Sequence, residues 1–376
     1  MDLAEVMRTI YRRLGIGAVA LMTLAFCALA AATAPAAPLR FPLSEAARLV
    51  YDGEIRRAVV AAGGALFFST DKGFVYGLMA GTPPAVAVAW RFEARAPIVG
   101  PPALGPEGLL VADGQNHVYA LDLGGRLRWE VAVSGRITAG PVWGGGLAVF
   151  VVDETFLVAL NAEGAESWRY TAGSALRAGP AFWYGAVLVG SNDGRVLLLG
   201  PDGRLLRSID VGGPLAGPLF ADQSRIYVTL AEGTMFCFNP ASGRRLWKFR
   251  LGGSLTALPA ADATRLYFTA SNNVLFCLDK KRGDLVWWHS LPAKSPFSPW
   301  VGEGQVFAAS FSPVLAAFKA DNGEKAGTFE AAGELRAGAL RVGDKLLINL
   351  FDPETARGTL VFLKGEAAKA SDPPKK

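Results

Sequence analysis

The chain is poor in the residues from which most enzyme sites are built. It has only two histidines, His117 and His289, which lie far apart and have no partner motif. A histidine-based metal site and a Ser-His-Asp triad are therefore poorly supported. No phosphate-binding Walker loop occurs, and the glycine clusters at 144–146 and 212–213 fall in turns between predicted strands. Carboxylate pairs fall in turns as well, so the sequence predicts no catalytic residue and no metal ligand set.

Charge of one sign is not concentrated along the chain. The formal net charge is +5 over 376 residues, and this excess includes the arginines of the N-terminal segment and the lysines of the C-terminal tail. The other basic residues are scattered around turns. A nucleic-acid-binding face needs a coherent basic stripe interleaved with stacking aromatic residues, and the sequence does not contain one. We therefore expect no nucleic-acid partner.

The most regular feature of the sequence is a Gly-Pro step, or a remnant of one, about every 40 residues. The spacings between eight successive anchors are 42, 40, 39, 38, 41, 40 and 40 residues. A fixed period of this length indicates a repeat fold. The anchors are Ala58-Val59, Gly100-Pro101, Gly140-Pro141, Gly179-Pro180, Gly217-Pro218, Leu258-Pro259, Ser298-Pro299 and Gly338-Ala339.

Each repeat has the pattern of four short antiparallel strands. Runs of four to six Val, Leu, Phe and Tyr residues alternate with turns such as Asp113-Gly114, and they are too short for helices. The Asp-Gly and Asn-Asp-Gly turns supply the positive φ that tight hairpins need. Four such strands in one repeat form one blade of a β-propeller.

The last strand of most repeats carries a tryptophan. In the second repeat, residues 120–122 (Ala-Leu-Asp) lead through a glycine turn to Trp129. A large flat side chain on an outer strand can be buried against the next blade, where it contributes on the order of a few kcal/mol. We therefore predict structural docking tryptophans rather than ligand-binding ones. They are Trp90, Trp129, Trp168, Trp247 and Trp287.

These repeats resemble the PQQ-like (pyrroloquinoline-quinone-type) propeller repeat, with its "Ala-Leu-Asp…Gly…Trp" docking motif. The resemblance covers roughly residues 47–364, whereas the WD40 pattern of Gly-His and Trp-Asp does not recur. Arg207 and Gly327 stand at the tryptophan position of the fourth and seventh repeats, so weaker packing between blades is expected there. Cys237 and Cys277 occupy equivalent positions in successive repeats, too far apart for a disulfide, and are expected to be buried free thiols.

Eight anchors predict an all-β, eight-bladed β-propeller of four-stranded antiparallel blades over residues 46–365. The eighth repeat lacks a tryptophan strand, and residues 50–55 resemble residues 131–137 of the second repeat. We therefore expect an N-terminal strand to complete the last blade and close the ring.

The N-terminal segment, residues 1–36, has the pattern of an export signal. Three arginines precede a 19-residue apolar run and a stretch of small residues. The run is long enough either to be cleaved or to remain as a membrane anchor. Cys27 follows Leu-Ala-Phe and resembles the lipidated cysteine of a bacterial lipoprotein, although Phe26 replaces a small residue. Each alternative places the propeller outside the cytoplasm, in a bacterial periplasm, and residues 366–376 are expected to be a disordered Lys/Pro-rich tail.

A group of aromatic residues follows the proline anchors on the predicted innermost strands. They are either packing residues between inner strands or a candidate interaction surface, as exposed apolar patches often are. The candidate surface consists of Trp143, Trp183, Tyr184, Phe220 and Trp300.

The resemblance implies two functions. PQQ-dependent dehydrogenases use a calcium ion held by acidic and amide side chains, a catalytic aspartate, a stacking tryptophan and often an adjacent cysteine pair. The chain has no Cys-Cys pair, and none of its residues matches those positions, so we expect no cofactor. The layout is more similar to BamB-type components of outer-membrane β-barrel assembly, which implies a non-catalytic exported scaffold with an assembly subunit and unfolded barrel clients as partners. A sensor or adhesion propeller with an unknown protein partner is a third interpretation.

Overall fold

The computed structural model describes residues 39–55, 58–62, 64–80, 86–105, 108–215 and 217–366. Within these ranges every regular element is a β-strand. The export signal, Cys27 and nearly all of the Lys/Pro-rich tail lie outside the described residues. Among those that are described, no helix is long and apolar enough to cross a bilayer.

The strands follow one another in the order that the period predicts. The first half of the chain contains β1 (Leu43–Asp52), β2 (Val60–Ala62), β3 (Ala65–Ser69), β4 (Phe74–Ala80), β5 (Val86–Glu93), β6 (Ala103–Gly105), β7 (Gly108–Ala112), β8 (His117–Leu121), β9 (Leu127–Ala132), β10 (Ile137–Gly144), β11 (Leu147–Val152), β12 (Phe156–Leu160), β13 (Glu166–Thr171), β14 (Leu176–Trp183), β15 (Ala186–Ser191), β16 (Arg195–Leu199) and β17 (Leu205–Asp210). The second half contains β18 (Phe220–Ala221), β19 (Ile226–Thr229), β20 (Thr234–Phe238), β21 (Arg245–Arg250), β22 (Ala260–Ala261), β23 (Arg265–Ala270), β24 (Val274–Asp279), β25 (Leu285–Ser290), β26 (Trp300–Gly302), β27 (Gln305–Ala308), β28 (Val314–Lys319), β29 (Lys325–Glu330), β30 (Leu340–Val342), β31 (Lys345–Asp352) and β32 (Arg357–Gly365).

These strands form eight four-stranded antiparallel sheets. Blades 1 to 7 each take four consecutive strands, beginning with β2–β5 and ending with β26–β29. Blade 8 has the order β30-β31-β32-β1, so the N-terminal strand is its outermost strand. The predicted eight-bladed propeller, completed by the N-terminal strand, is therefore confirmed.

The same bulge marks the outer strand of every blade. One extra residue interrupts the pairing of the third and fourth strands in all eight sheets, including residues 45–47 of β1. A bulge bends its strand and re-aims the side chains that follow it. Because the bulges align, Ala47 in blade 8 occupies the position of Trp129 in blade 2.

The hydrophobic core is divided among the interfaces between blades. Second and third strands are covered by a blade on either side, and β11 is buried at all six positions. Each of the eight interfaces contains one cluster of buried apolar side chains. At the closing interface, Tyr51 and Leu360 of blade 8 pack with Phe68 of blade 1. The ring is therefore held together by interfaces of one kind, and each blade depends on its two neighbours.

Both described ends of the chain lie on one face of the ring. Because the strands alternate in direction, turns between first and second strands share a face with turns between third and fourth strands. In blade 8, β32 is the third strand and β1 is the fourth. The end of β32 and the start of β1 therefore lie where the other blades have the turn between their third and fourth strands. We call this side the terminal face, and the side with the second-to-third turns the opposite face.

Candidate interaction surface

The five docking tryptophans make the same contact on the terminal face. In each case the indole Nε1–H donates a hydrogen bond to the backbone carbonyl 33 residues further on, in the third-to-fourth turn of the next blade. Trp247, for example, donates to the carbonyl of Lys280 at 2.9 Å. Its ring lies over Gly283, where an added Cβ would come within 2.5 Å of the indole. The tryptophan and the turn glycine of the next blade therefore form one latch.

The two cysteines among the described residues belong to this latch. Cys237 is the cross-strand partner of Trp247, and Cys277 is the partner of Trp287. Blades 1 to 3 carry a glycine or an alanine at this position, because the indole folds over the partner residue. Both thiols are free and buried, as predicted. Burial raises the pKa of each to about 12, so the thiols are protonated at neutral pH and are unreactive.

Blades 4 and 7, like blade 8, have no tryptophan at this position, and the structure shows which other side chains lie there in blades 4 and 7. Weaker packing at these two interfaces stays a prediction. The Arg207 guanidinium donates to the Ser242 carbonyl at 3.5 Å, and its side chain lies over Gly243. At Gly327 the missing ring is supplied by Phe41, whose Cγ lies 2.3 Å from the position of an added Cβ.

The segment that carries Phe41 is fixed on both sides. Gln305 Nε2 of blade 7 donates to the Leu39 carbonyl at 3.1 Å, and Glu366 N donates to the Arg40 carbonyl at 3.0 Å. The Phe41 ring also stacks on Phe307, with ring centroids 6.2 Å apart. The N-terminal segment therefore fills the interface between blades 7 and 8 before it enters β1.

A charge clip reinforces the interface between blades 5 and 6. Lys280 Nζ lies 2.8 Å from Asp222 Oδ2 in the first turn of blade 5, and the Tyr227 hydroxyl donates to the same oxygen at 3.0 Å. Burial alone would raise the pKa of Asp222, but the Lys280 ammonium and the Ser224 N–H outweigh it and hold that pKa below its ordinary value. Lys280 thus binds blade 5 through its side chain as well as through its carbonyl.

Replacing Lys280 is expected to destabilise the ring in a pH-dependent way. Lys280→Met leaves a half-buried carboxylate unpaired, which costs about 2 kcal/mol at pH 7. Because the pKa of Asp222 is lowered in the folded state, its contribution is complete above the unfolded value near 3.9 and is lost as the pH falls through the lower folded value. The difference between wild type and variant in urea unfolding should therefore shrink below about pH 4. The exposed neighbour offers a control, since Lys281→Met should change stability little at any pH; equal losses in both variants would contradict the clip.

The candidate surface aromatics lie at the ends of four inner strands or in the adjacent turn, near the terminal face. Trp183 and Tyr184 contact each other, with ring centroids 5.4 Å apart. Phe220 and Trp300 pack instead on Tyr227 and Phe307 of their own blades. Within the described part of the chain, the structure therefore brings together one pair and leaves the others in separate blades.

Burial separates these five residues further. Trp183 is only 4% exposed and belongs to the core between blades 4 and 5, so it offers no surface to a partner. Trp143 lies against Gly105 of blade 2, where an added Cβ would come within 2.8 Å of the indole. Trp143, Tyr184, Phe220 and Trp300 are partly exposed, and their role in binding stays a prediction.

One exposed aromatic residue was missed by the sequence interpretation. Trp288 directly follows the docking residue Trp287 on β25 and is 54% exposed. The signal was available in the aligned repeats, where the residue after the docking position is polar in the seven other blades. Those residues are Arg48, Arg91, Glu130, Arg169, Ser208, Lys248 and Thr328.

A quinone and calcium site does not fit the residues that the structure brings together. No three His, Cys, Asp or Glu side chains of the described ranges form a group that could hold a metal ion. The two cysteines lie in different blades and serve as latch partners rather than as an adjacent pair. The His, Cys, Asp and Glu side chains of the described residues therefore give no ligand set from which a reaction step through such a cofactor could be derived.

The architecture and its latches define a class, the eight-bladed propellers built from tryptophan-docked PQQ-like repeats. The family model described as outer membrane protein assembly factor BamB matches residues 80–173, 154–239 and 231–367. These matches span well over half of the chain, and the chain belongs to this family. No curated protein matches the sequence.

Solved structures share the fold at low sequence identity. BamB from Moraxella catarrhalis is 17% identical, with a TM-score of 0.70, and the match covers 85% of this chain and 100% of that one. The quinohemoprotein alcohol dehydrogenase ADHIIG from Pseudomonas putida HK5 is 13% identical, with a TM-score of 0.68 and coverage of 89% and 78%. Saccharomyces cerevisiae Sqt1 is 10% identical, with a TM-score of 0.71 and coverage of 87% and 100%. At these identities the likeness concerns the fold alone.

Proposed function

We propose that this protein is a non-catalytic, exported interaction scaffold of the BamB type, acting in outer-membrane β-barrel assembly. The observation that carries the proposal is the family match from residue 80 to residue 367, which reaches into all eight blades. The partners would be a barrel-assembly subunit and unfolded barrel precursors. Repeat rings of this kind offer broad, rigid surfaces for such binding.

The position of the chain ends supports an arrangement at a membrane. Leu39 and Arg40 are held on the terminal face by blades 7 and 8. An uncleaved N-terminal anchor, or a lipid on Cys27, would therefore be connected to the ring at that face. The partly exposed aromatics Tyr184 and Trp300 lie near the same face, so we place the assembly partner there.

Site-specific photo-crosslinking in cells tests this proposal. A benzophenone amino acid would replace Tyr184 or Trp300, and in a matched control it would replace Gln115, an exposed residue of the opposite face. We expect a barrel-assembly subunit to be captured from the first two positions and not from the third, as judged by mass spectrometry of the tagged protein. Capture from Gln115 alone would reverse the assigned face.

Capture of no assembly component from any position would remove the proposed function. The fold likeness to quinohemoprotein alcohol dehydrogenases makes a quinoprotein the next candidate. Dye reduction by the purified protein with added quinone, calcium and alcohol would then favour the enzyme. Failure of both tests would leave a sensor or adhesion propeller.

A further inference from the structure

The outer strands of the blades expose backbone edges that most proteins protect. An unpaired edge strand is a template for pairing with another chain, and charged side chains are a common protection against it. Seven of the eight outer strands carry at least two Lys, Arg, Asp or Glu residues. The exception is β25, Leu-Val-Trp-Trp-His-Ser, which has none.

The side chains of β25 are also unusually apolar on the outside. Leu285 and Val286 are 45% and 39% exposed, next to Trp288. Trp287 and His289 point to blade 7, where the His289 ring stacks on Phe318 at 4.2 Å. Trp288 lies between these two residues and faces the other way, whereas Val286 is the extra residue of the bulge. Both are partly exposed, so this edge keeps apolar surface that the fold leaves open to solvent.

The surroundings of β25 indicate the chemistry of a partner. A shallow, open depression lined by Leu285, Trp288 and Glu324 lies beside the strand. At the end of β25 that lies on the terminal face, the exposed residues Lys281 and Arg282 add two positive charges and the exposed Asp284 adds one negative charge, so the exposed side chains of this turn are net basic. An uncharged edge accepts an uncharged strand without desolvating a charge, whereas the basic turn at its end favours an acidic residue in the partner.

We propose that β25 is a docking strand for an extended segment with apolar side chains at alternate positions. The segment pairs antiparallel to β25, covers Val286 and Trp288, and places an acidic residue near its own C-terminal end against Lys281 and Arg282. Strand addition supplies affinity through main-chain hydrogen bonds and specificity through alternate side chains. The biological identity of the segment rests on the proposed function, because alternating apolar residues are the pattern of a transmembrane barrel strand.

A labelled peptide measures this binding directly. The probe is a ten-residue peptide that alternates valine or tyrosine with serine or threonine and ends in aspartate, and its fluorescence anisotropy is titrated with the exported protein purified from cells. Trp288→Thr, which copies the residue of blade 7, should weaken binding by at least about tenfold. Leu205→Thr, at an exposed apolar position on β17, is the matched control and should bind as wild type does. Equal binding by wild type and Trp288→Thr would overturn the proposal.

Backbone methylation separates strand pairing from simple apolar contact. Two versions of the peptide carry N-methyl groups on alternate amides, one set on each edge. Pairing predicts that one version loses binding and the other keeps it, whereas equal binding of both would overturn strand addition. A dimer of the protein that Trp288→Thr dissociates would identify a second copy as the occupant and would also overturn the proposal.

The outcome is independent of the proposed function. Peptide binding without capture of an assembly subunit in cells would leave the docking strand standing and remove the assembly role. Capture of the subunit without peptide binding would support the assembly role and remove the docking strand.

Discussion

A chain that lacks residues 39–52 is expected to lose its cooperative unfolding transition, rather than to fray in one blade. This segment supplies β1, which pairs with β32 through nine residue pairs, and Phe41, which fills the latch position at Gly327. Leu39, Leu43 and Tyr51 within it are buried. Burial of three such side chains contributes roughly 6 kcal/mol, which is comparable with the whole stability of a typical domain at about 5–15 kcal/mol.

Thermal unfolding followed by circular dichroism measures this effect. The matched control begins at Leu39, so it lacks only residues 1–38 and keeps Phe41 and β1. It should melt at the same temperature as the full-length chain. Phe41→Ala removes the latch but leaves β1 paired, and it should lie between the two. An unchanged melting temperature after deletion of 39–52 would mean that β1 does not close the ring.

The sequence predicts the architecture well because the repeat is encoded locally. A 40-residue period, hairpin turns and a tryptophan strand are all features of single repeats, and their number gives the number of blades. The pairing of β1 with the last blade also follows from a comparison of repeats, since the last repeat lacks a strand that the N-terminal segment supplies. The fold and the closure of the ring can therefore be predicted from the sequence pattern, without knowledge of any side-chain contact.

The side-chain partners are less predictable because they depend on residues far apart in the chain. Nothing near Gly327 indicates that Phe41 fills its place, since the two residues meet only once the ring closes. The burial of Trp183 depends on how blades 4 and 5 pack, which a strand pattern does not specify. Trp288 is a different case, since comparison of aligned repeats distinguishes it from the polar residues at the same position.

Adjacent tryptophans on β25 give the sharpest test of the latch. We expect Trp287→Ala to cost about 3–5 kcal/mol of unfolding free energy, because it opens a cavity in the core between blades 6 and 7. It also removes the donor to the Ala320 carbonyl at 3.1 Å, and the loss of that hydrogen bond adds to the cost. Trp287 is 7% exposed, whereas Trp288, on the other face of the same strand, is 54% exposed.

Trp288→Ala should therefore change the unfolding free energy by less than about 1 kcal/mol in the same urea titration. The two variants remove the same side chain from neighbouring positions of one strand, so differences in strand propensity largely cancel. Comparable losses in both would contradict the latch, because the indole would then contribute through β25 itself rather than through blade 7. A selective loss in Trp287→Ala would assign the first tryptophan to the ring and leave the second, which the fold does not need, available for a partner.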